Sequence, residues 1–262
     1  MKQLPGSIAL FAMLTLFLFF RTAPAGEKKP ASGTFDSNGV KIWYSVQGNG
    51  EPVVLIHGWL SSAGINWDLP GITAALAKDY QVIELDVRGH GQSDKPTKEG
   101  EYGPELVEDV VRLMDYLKVK KAHIVGYSMG GIIAGNFIVK HPDRVFSGTL
   151  GGMGWLKAGG LGQWGFGQIG KNDSNAKAAA VCGRSLAKLA LTENEIKAIK
   201  VPMIVLVGDE DGLVQKLYVD PLKAVRPEWS VIEIKGGNHF TSIVKPQFRE
   251  EIQKWLAKQT KQ

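Results

Sequence analysis

Ala122-His123-Ile124-Val125-Gly126-Tyr127-Ser128-Met129-Gly130-Gly131-Ile132-Ile133-Ala134-Gly135-Asn136-Phe137-Ile138 is the stretch whose reading decides the fold. A short β-branched run precedes a G-x-S-x-G turn, and a run that is apolar on every side follows it. The order is strand, sharp turn, buried helix, with Ser128 at the turn: the pattern of a nucleophile elbow. Strand and helix backbones approach closely at such a turn, which is a steric reason for Gly126 and Gly130. The following helix aims its N-terminus at the serine, where free N–H groups favour developing negative charge.

The alternation continues outward in both directions. Val40 to Val46, Pro52 to Ile56, Gln81 to Asp86, Val145 to Leu150, Pro202 to Val207 and Ser230 to Ile234 read as strands, several as continuous apolar runs suited to burial on both faces. Asp68 to Ala77, Pro104 to Leu117, Ala176 to Leu191 and Gln247 to Ala257 read as helices, and Thr192-Glu193-Asn194-Glu195 as a capping box opening another. The expected fold class is α/β, a mostly parallel, doubly wound sheet. Glycines and aromatics crowd into Met153 to Ile169, which reads as a mobile, partly apolar flap.

The chain has 262 residues and a formal net charge of +5. Its lysines are scattered among glutamates with no aromatic interleaving, which leaves nucleic-acid binding unsupported. Cys182 is the single cysteine, so no intramolecular disulfide forms, and its alanine-rich surroundings make it a small buried hydrophobe. No metal-ligand spacing occurs, and no phosphate loop. Lys2, the apolar run Ile8 to Phe20 and Ala23-Pro24-Ala25 read as a signal peptide over residues 1–25, cut after Ala25. The run is shorter than the roughly 20 residues a spanning helix needs, so no stable membrane span is expected after cleavage. The expected location is periplasmic or secreted, with Glu27 to Ser32 as a leader.

In parallel sheets of this kind the active site lies at the carboxyl ends of the strands. There the sequence places His57-Gly58-Trp59, Asp86 to Ser93, the elbow, Gly208-Asp209-Glu210-Asp211, and Gly237-Asn238-His239-Phe240. These five motifs, in the chain order Ser, acid, His, resemble the α/β-hydrolase superfamily from about Val40 to Trp255. Ser128 is then the expected nucleophile, and His239 its base. Asp209 and Asp211 compete as the acid, and the resemblance favours Asp211. It also implies an oxyanion hole from the backbone N–H groups of Trp59 and Met129, with His57 bonded within its own loop. The implied division is a core domain of residues 26–151 and 201–262 with a modest cap or lid inserted at 152–200. Trp59, Trp155, Trp164 and Phe166 are the expected pocket residues.

The expected function is a serine hydrolase cleaving small-molecule carboxylic esters of small to medium acyl chain, with no cofactor and no metal. Cofactor-free perhydrolases or haloperoxidase-like members, carbon–carbon bond hydrolases, and a low-turnover ligand-binding protein on the same fold are the alternatives. The sequence sets no oligomeric state.

Overall fold

The computed structural model describes residues 31–171 and 177–260, so the signal segment at residues 1–25 lies outside the described part. One eight-stranded sheet runs in the order β1-β2-β4-β3-β5-β6-β7-β8. β1 (Ala31–Ser37) and β2 (Val40–Gln47) form a hairpin about Asn38-Gly39, whose φ values of 57° and 82° suit a tight turn between twisted strands. β2 also runs antiparallel to β4 (Tyr80–Leu85). β3 (Glu51–Ile56), β4, β5 (Ala122–Tyr127), β6 (Val145–Gly151), β7 (Met203–Gly208) and β8 (Ser230–Ile234) are parallel. The sequence reading began the first strand at Val40 and left Ser32 in a leader; β1 corrects it. That strand buries only Phe35 and Ser37, too little apolar alternation to mark it.

Alternate residues of the central strands face opposite cores. Val54 and Ile56 pack with Leu106, Leu113, Ile133 and Phe137 from α2 (Pro104–Tyr116) and α3 (Met129–Lys140). Val53, Leu55 and Val125 pack with Ile72 and Leu76 of α1 (Ile72–Leu76) and with Phe248, Ile252 and Leu256 of α9 (Pro246–Gln259). Every residue of β5 and of β7 is buried, the physical reason both read as unbroken apolar runs.

Between β6 and β7 lie α4 (Leu161–Gly167), α5 (Ala178–Ser185), a 3-10 turn (Leu186–Leu189) and α6 (Glu193–Ala198). The flap expected at Met153 to Ile169 is therefore part core and part helix. Met153 to Leu156 are buried, and Gln163 ties α4 down by accepting from Gly159 N at 2.7 Å and donating to Ala187 O at 2.8 Å. The capping box before α6 is present: Thr192 N donates to Glu195 Oε2 at 2.7 Å, and Glu195 N to Thr192 Oγ1 at 3.3 Å. Beyond β7 come α7 (Gly212–Val214), a π-helical turn (Gln215–Val219) and α8 (Asp220–Val225), helical structure that the sequence reading did not identify. No helix among the described residues is long and apolar enough to cross a membrane.

Candidate active site

Ser128 sits between β5 and α3 with φ 54° and ψ −114°, a left-handed backbone rare for a residue with a side chain. The turn is held open by bonds at both ends. Ser128 N donates to Gly151 O at 2.8 Å, and Ser128 O accepts from Gly131 N and Ile132 N at 2.9 and 3.2 Å. A Cβ on Gly126 would collide with the Gly130 carbonyl, and one on Gly130 with the Ile56 carbonyl. Both glycines are thus demanded by close backbone approach.

His239, on the loop after β8, reaches the serine. Its Nε2 lies 2.9 Å from Ser128 Oγ, and its Nδ1 lies 2.8 Å from Asp211 Oδ2. Asp211 is buried, so this carboxylate has lost most of its water and the imidazole is its principal partner. With Nδ1–H donating to Asp211, the Nε2 lone pair faces the serine hydroxyl. The structure therefore brings Ser128, His239 and Asp211 into one relay. Asp209 is exposed and turned elsewhere; its Oδ1 accepts from Gly237 N at 3.3 Å, closing the neighbouring turn. The histidine loop is anchored by Tyr127, whose hydroxyl donates to His239 O at 2.7 Å. Burial pushes the Tyr127 phenol well above its ordinary range, so it stays a proton donor.

The loop after β3 is held by hydrogen bonds at several residues. Gly58 N donates to Asn66 Oδ1 at 2.8 Å, Gly58 O lies 2.7 Å from His57 Nδ1, and Ala63 N donates to Asp86 Oδ1 at 2.8 Å. Val87 N donates to His57 Nε2 at 2.9 Å, which fixes Nδ1 as the protonated nitrogen. Burial, with His90 beside it, lowers the His57 pKa to about 4, so the ring is neutral at ordinary pH and both its nitrogens are occupied. Among the described residues the backbone N–H groups of Trp59 and Met129 have no acceptor. Leu60, next to Trp59, turns the chain with φ 59°. Sequence reasoning missed Asn66 and the role of Asp86. The Asp86 motif was visible, but nothing in sequence marks an asparagine eight residues beyond Gly58 as its partner.

The expected pocket aromatics divide. Trp155 is 2% exposed and donates its indole N–H to Leu191 O at 2.8 Å, so it packs within the core. Phe166 is half-buried against the same core. Trp164 is 68% exposed. Trp59 is half-buried and donates to Ala179 O at 2.7 Å, tying the loop after β3 to α5. Cys182 is fully buried, its Sγ 3.8 Å from Met129 Sδ, and burial raises its thiol to about 12: an inert hydrophobe. No cluster with metal-holding chemistry occurs among the described residues.

A family model described as the alpha/beta hydrolase fold matches residues 51–190. The chain belongs to the α/β-hydrolase fold family. This α/β hydrolase is 33% identical over 187 residues to the dihydrolipoyllysine-residue acetyltransferase component of the acetoin cleaving system of Pseudomonas putida, covering 71% of this chain and 44% of that protein. It is 37% identical over 123 residues to 2-hydroxy-6-oxo-6-phenylhexa-2,4-dienoate hydrolase of Comamonas testosteroni, covering 46% of this chain and 41% of that one. The chain thus matches less than half the length of these curated relatives. A carboxylesterase structure from Nitrososphaera gargenis superposes with a TM-score of 0.70 at 20% identity, covering 88% of this chain and 99% of that one, a likeness of fold.

Proposed function

We propose that this chain is an exported serine hydrolase that cleaves carboxylic esters of small to medium acyl chain. The observation that carries the reading is the continuous relay from Ser128 Oγ through His239 to Asp211, at 2.9 and 2.8 Å. Export rests on the N-terminal sequence alone.

In this reading Ser128 Oγ attacks the ester carbonyl while His239 Nε2 takes the hydroxyl proton. The carbonyl π electrons move onto oxygen, and that oxyanion sits between Trp59 N–H and Met129 N–H. Two such donors contribute roughly 3 kcal/mol each. As the tetrahedral centre collapses, the bond to the alcohol oxygen breaks and His239 returns the proton to it. Water then attacks the acyl-enzyme, losing its proton to the same nitrogen, and Ser128 leaves reprotonated. Asp211 holds the imidazole's orientation and stabilises the imidazolium.

The test is a panel of nitrophenyl esters of increasing chain length, with labelling by a fluorophosphonate. Steady ester turnover that stops when Ser128 is labelled is the expected result; absence of both labelling and turnover overturns the reading. A second reading, carbon–carbon bond hydrolysis, is favoured by the identity to the Comamonas dienoate hydrolase. Faster turnover of 2-hydroxy-6-oxo-6-phenylhexa-2,4-dienoate than of any ester in the panel moves the assignment there.

A further inference from the structure

Residues 152–191 combine two features that are rarely found together on a surface facing only water. The first is apolar exposure. Leu161 is 75% and Trp164 68% exposed on α4. The exposure continues on the loops that carry the relay: Leu60 beside Trp59 is 66% exposed, Leu213 beyond Asp211 is 70%, and Phe240 beside His239 is 84%. Single exposed apolar residues need no explanation, but a set collected on the loops around one site does. The second feature is charge. This stretch holds five cations, Lys157, Lys171, Lys177, Arg184 and Lys188, against one acid, Asp173, so four of the chain's net five positive charges fall within it. All four lysines are exposed.

A cavity of about 240 Å³ adds a third observation. Arg184, Ser185, Lys171 and Lys188 line it, with Glu99 at its edge. Glu99 Oε1 accepts from Arg184 Nε at 2.6 Å, while the Nη1 of the same guanidinium is buried with no partner among the described residues. Among the described residues that donor has no acceptor, and a phosphate oxygen is the acceptor a guanidinium fits best.

We propose that residues 152–191 dock on an anionic lipid surface, with Leu161 and Trp164 inserted among the acyl chains and the lysines and Arg184 set against headgroup phosphates. Apolar and aromatic insertion flanked by lysines is the chemistry of peripheral membrane binding. The charge favours lipid over a neutral partner. So does the position of Leu60, Leu213 and Phe240 on the loops that carry the relay: a stably bound protein there would obstruct the site, whereas a lipid aggregate carries ester-containing amphiphiles to it. That last step rests on the esterase reading; the docking itself does not.

The experiment uses the full chain carrying Ser128→Ala, so that no turnover enters. Its tryptophan emission is measured with phosphatidylcholine vesicles, with and without phosphatidylglycerol, whose acyl chains are brominated near the headgroup. Subtracting the same protein with Trp164→Phe isolates the Trp164 contribution, whatever the N-terminal apolar run does. Quenching of that contribution in phosphatidylglycerol-containing vesicles is expected. Changing Lys157, Lys171, Lys177 and Lys188 together to Gln should weaken its vesicle dependence at least about tenfold. Inorganic phosphate should not abolish it. An unquenched Trp164, quenching indifferent to both lipid charge and the lysines, or a sedimenting dimer that Leu161→Ser dissociates would each overturn the proposal. Fluorophosphonate labelling of the unsubstituted chain reports on the esterase reading separately.

Discussion

The loops around Ser128 and the stretch between β6 and β7 lie at the same edge of the sheet yet are built by opposite rules. Around the serine most polar groups have a partner, with Ser61 Oγ and His90 Nε2 among the buried exceptions. His57 uses both nitrogens, Asp86 holds Ala63 N, Asn66 holds Gly58 N, and Tyr127 holds the His239 carbonyl. Among the described residues the N–H groups of Trp59 and Met129 have no acceptor, and an oxyanion would sit between them. Such a site is rigid because moving one atom breaks several bonds at once. The stretch between β6 and β7 is sewn into the core through Met153 to Leu156, Val181, Cys182, Leu186 and Leu189, but its α4 presents Leu161 and Trp164 to solvent, and its lysines are exposed. Chemistry that depends on distances near 3 Å needs the first construction, whereas contact with variable apolar groups needs only the second.

The largest expected effect breaks the rigid side. Ser128→Ala should lower ester kcat to below about a thousandth while leaving the melting temperature nearly unchanged, because the hydroxyl's one side-chain partner is His239. A variant that keeps more activity than this places the nucleophile elsewhere.

Next comes the acid. Asp211→Asn should reduce kcat by about 10²–10⁴, since an amide cannot stabilise the imidazolium. Asp209→Asn should change kcat by less than about threefold, its carboxylate holding only a turn through Gly237 N. The opposite order, read in the same assay, moves the relay to Asp209.

The two tryptophans of the covering stretch sharpen the contrast within it. Trp155→Ala should cost about 3–5 kcal/mol of stability, because it empties a buried site and removes one of the two donors to Leu191 O, leaving Ala158 N at 2.9 Å. Trp164→Ala should stay within about 0.5 kcal/mol in denaturant unfolding. Equal losses at both positions would mean that the whole stretch is core.

The smallest effect tests how tightly the rigid side is sealed. Glu84 on β4 is fully buried, accepts from Ser45 Oγ at 2.8 Å and from Thr73 Oγ1, and has its pKa raised to about 7, by burial first and by Asp68 as the nearest charge. The folded chain holds this proton while the unfolded chain releases it near 4.5. The contribution of Glu84 to stability is therefore greatest below about pH 4.5 and is lost as the pH rises to about 7, a change on the order of 3 kcal/mol. Glu84→Gln removes that titration. The melting temperature of the variant minus that of the unsubstituted chain should rise between pH 4 and pH 8, and a constant difference would show that Glu84 ionises freely.

The residues themselves determined much of this. Apolar runs at Val53 to Ile56, Ile124 and Val125, and Ile204 to Val207 specify parallel buried strands, because a strand covered on both faces has no polar side to show. Gly126-Tyr127-Ser128-Met129-Gly130 specifies its turn, because only glycine leaves room for the two carbonyls that crowd it. Loop position was enough to single out His239, while the choice of Asp211 over Asp209 came from the family resemblance. Tertiary structure alone decided the rest. β1 forms because an existing sheet edge gives its backbone partners, a gain that its own composition does not advertise. Asn66 and Asp86 become the supports of the loop after β3 only when the chain brings them to Gly58 N and Ala63 N. Trp155 and Trp164, nine residues apart in the same glycine-rich run, are indistinguishable by composition. Burial divides them: the core closes over the first, whose N–H meets the Leu191 carbonyl, while α4 holds the second out in the solvent.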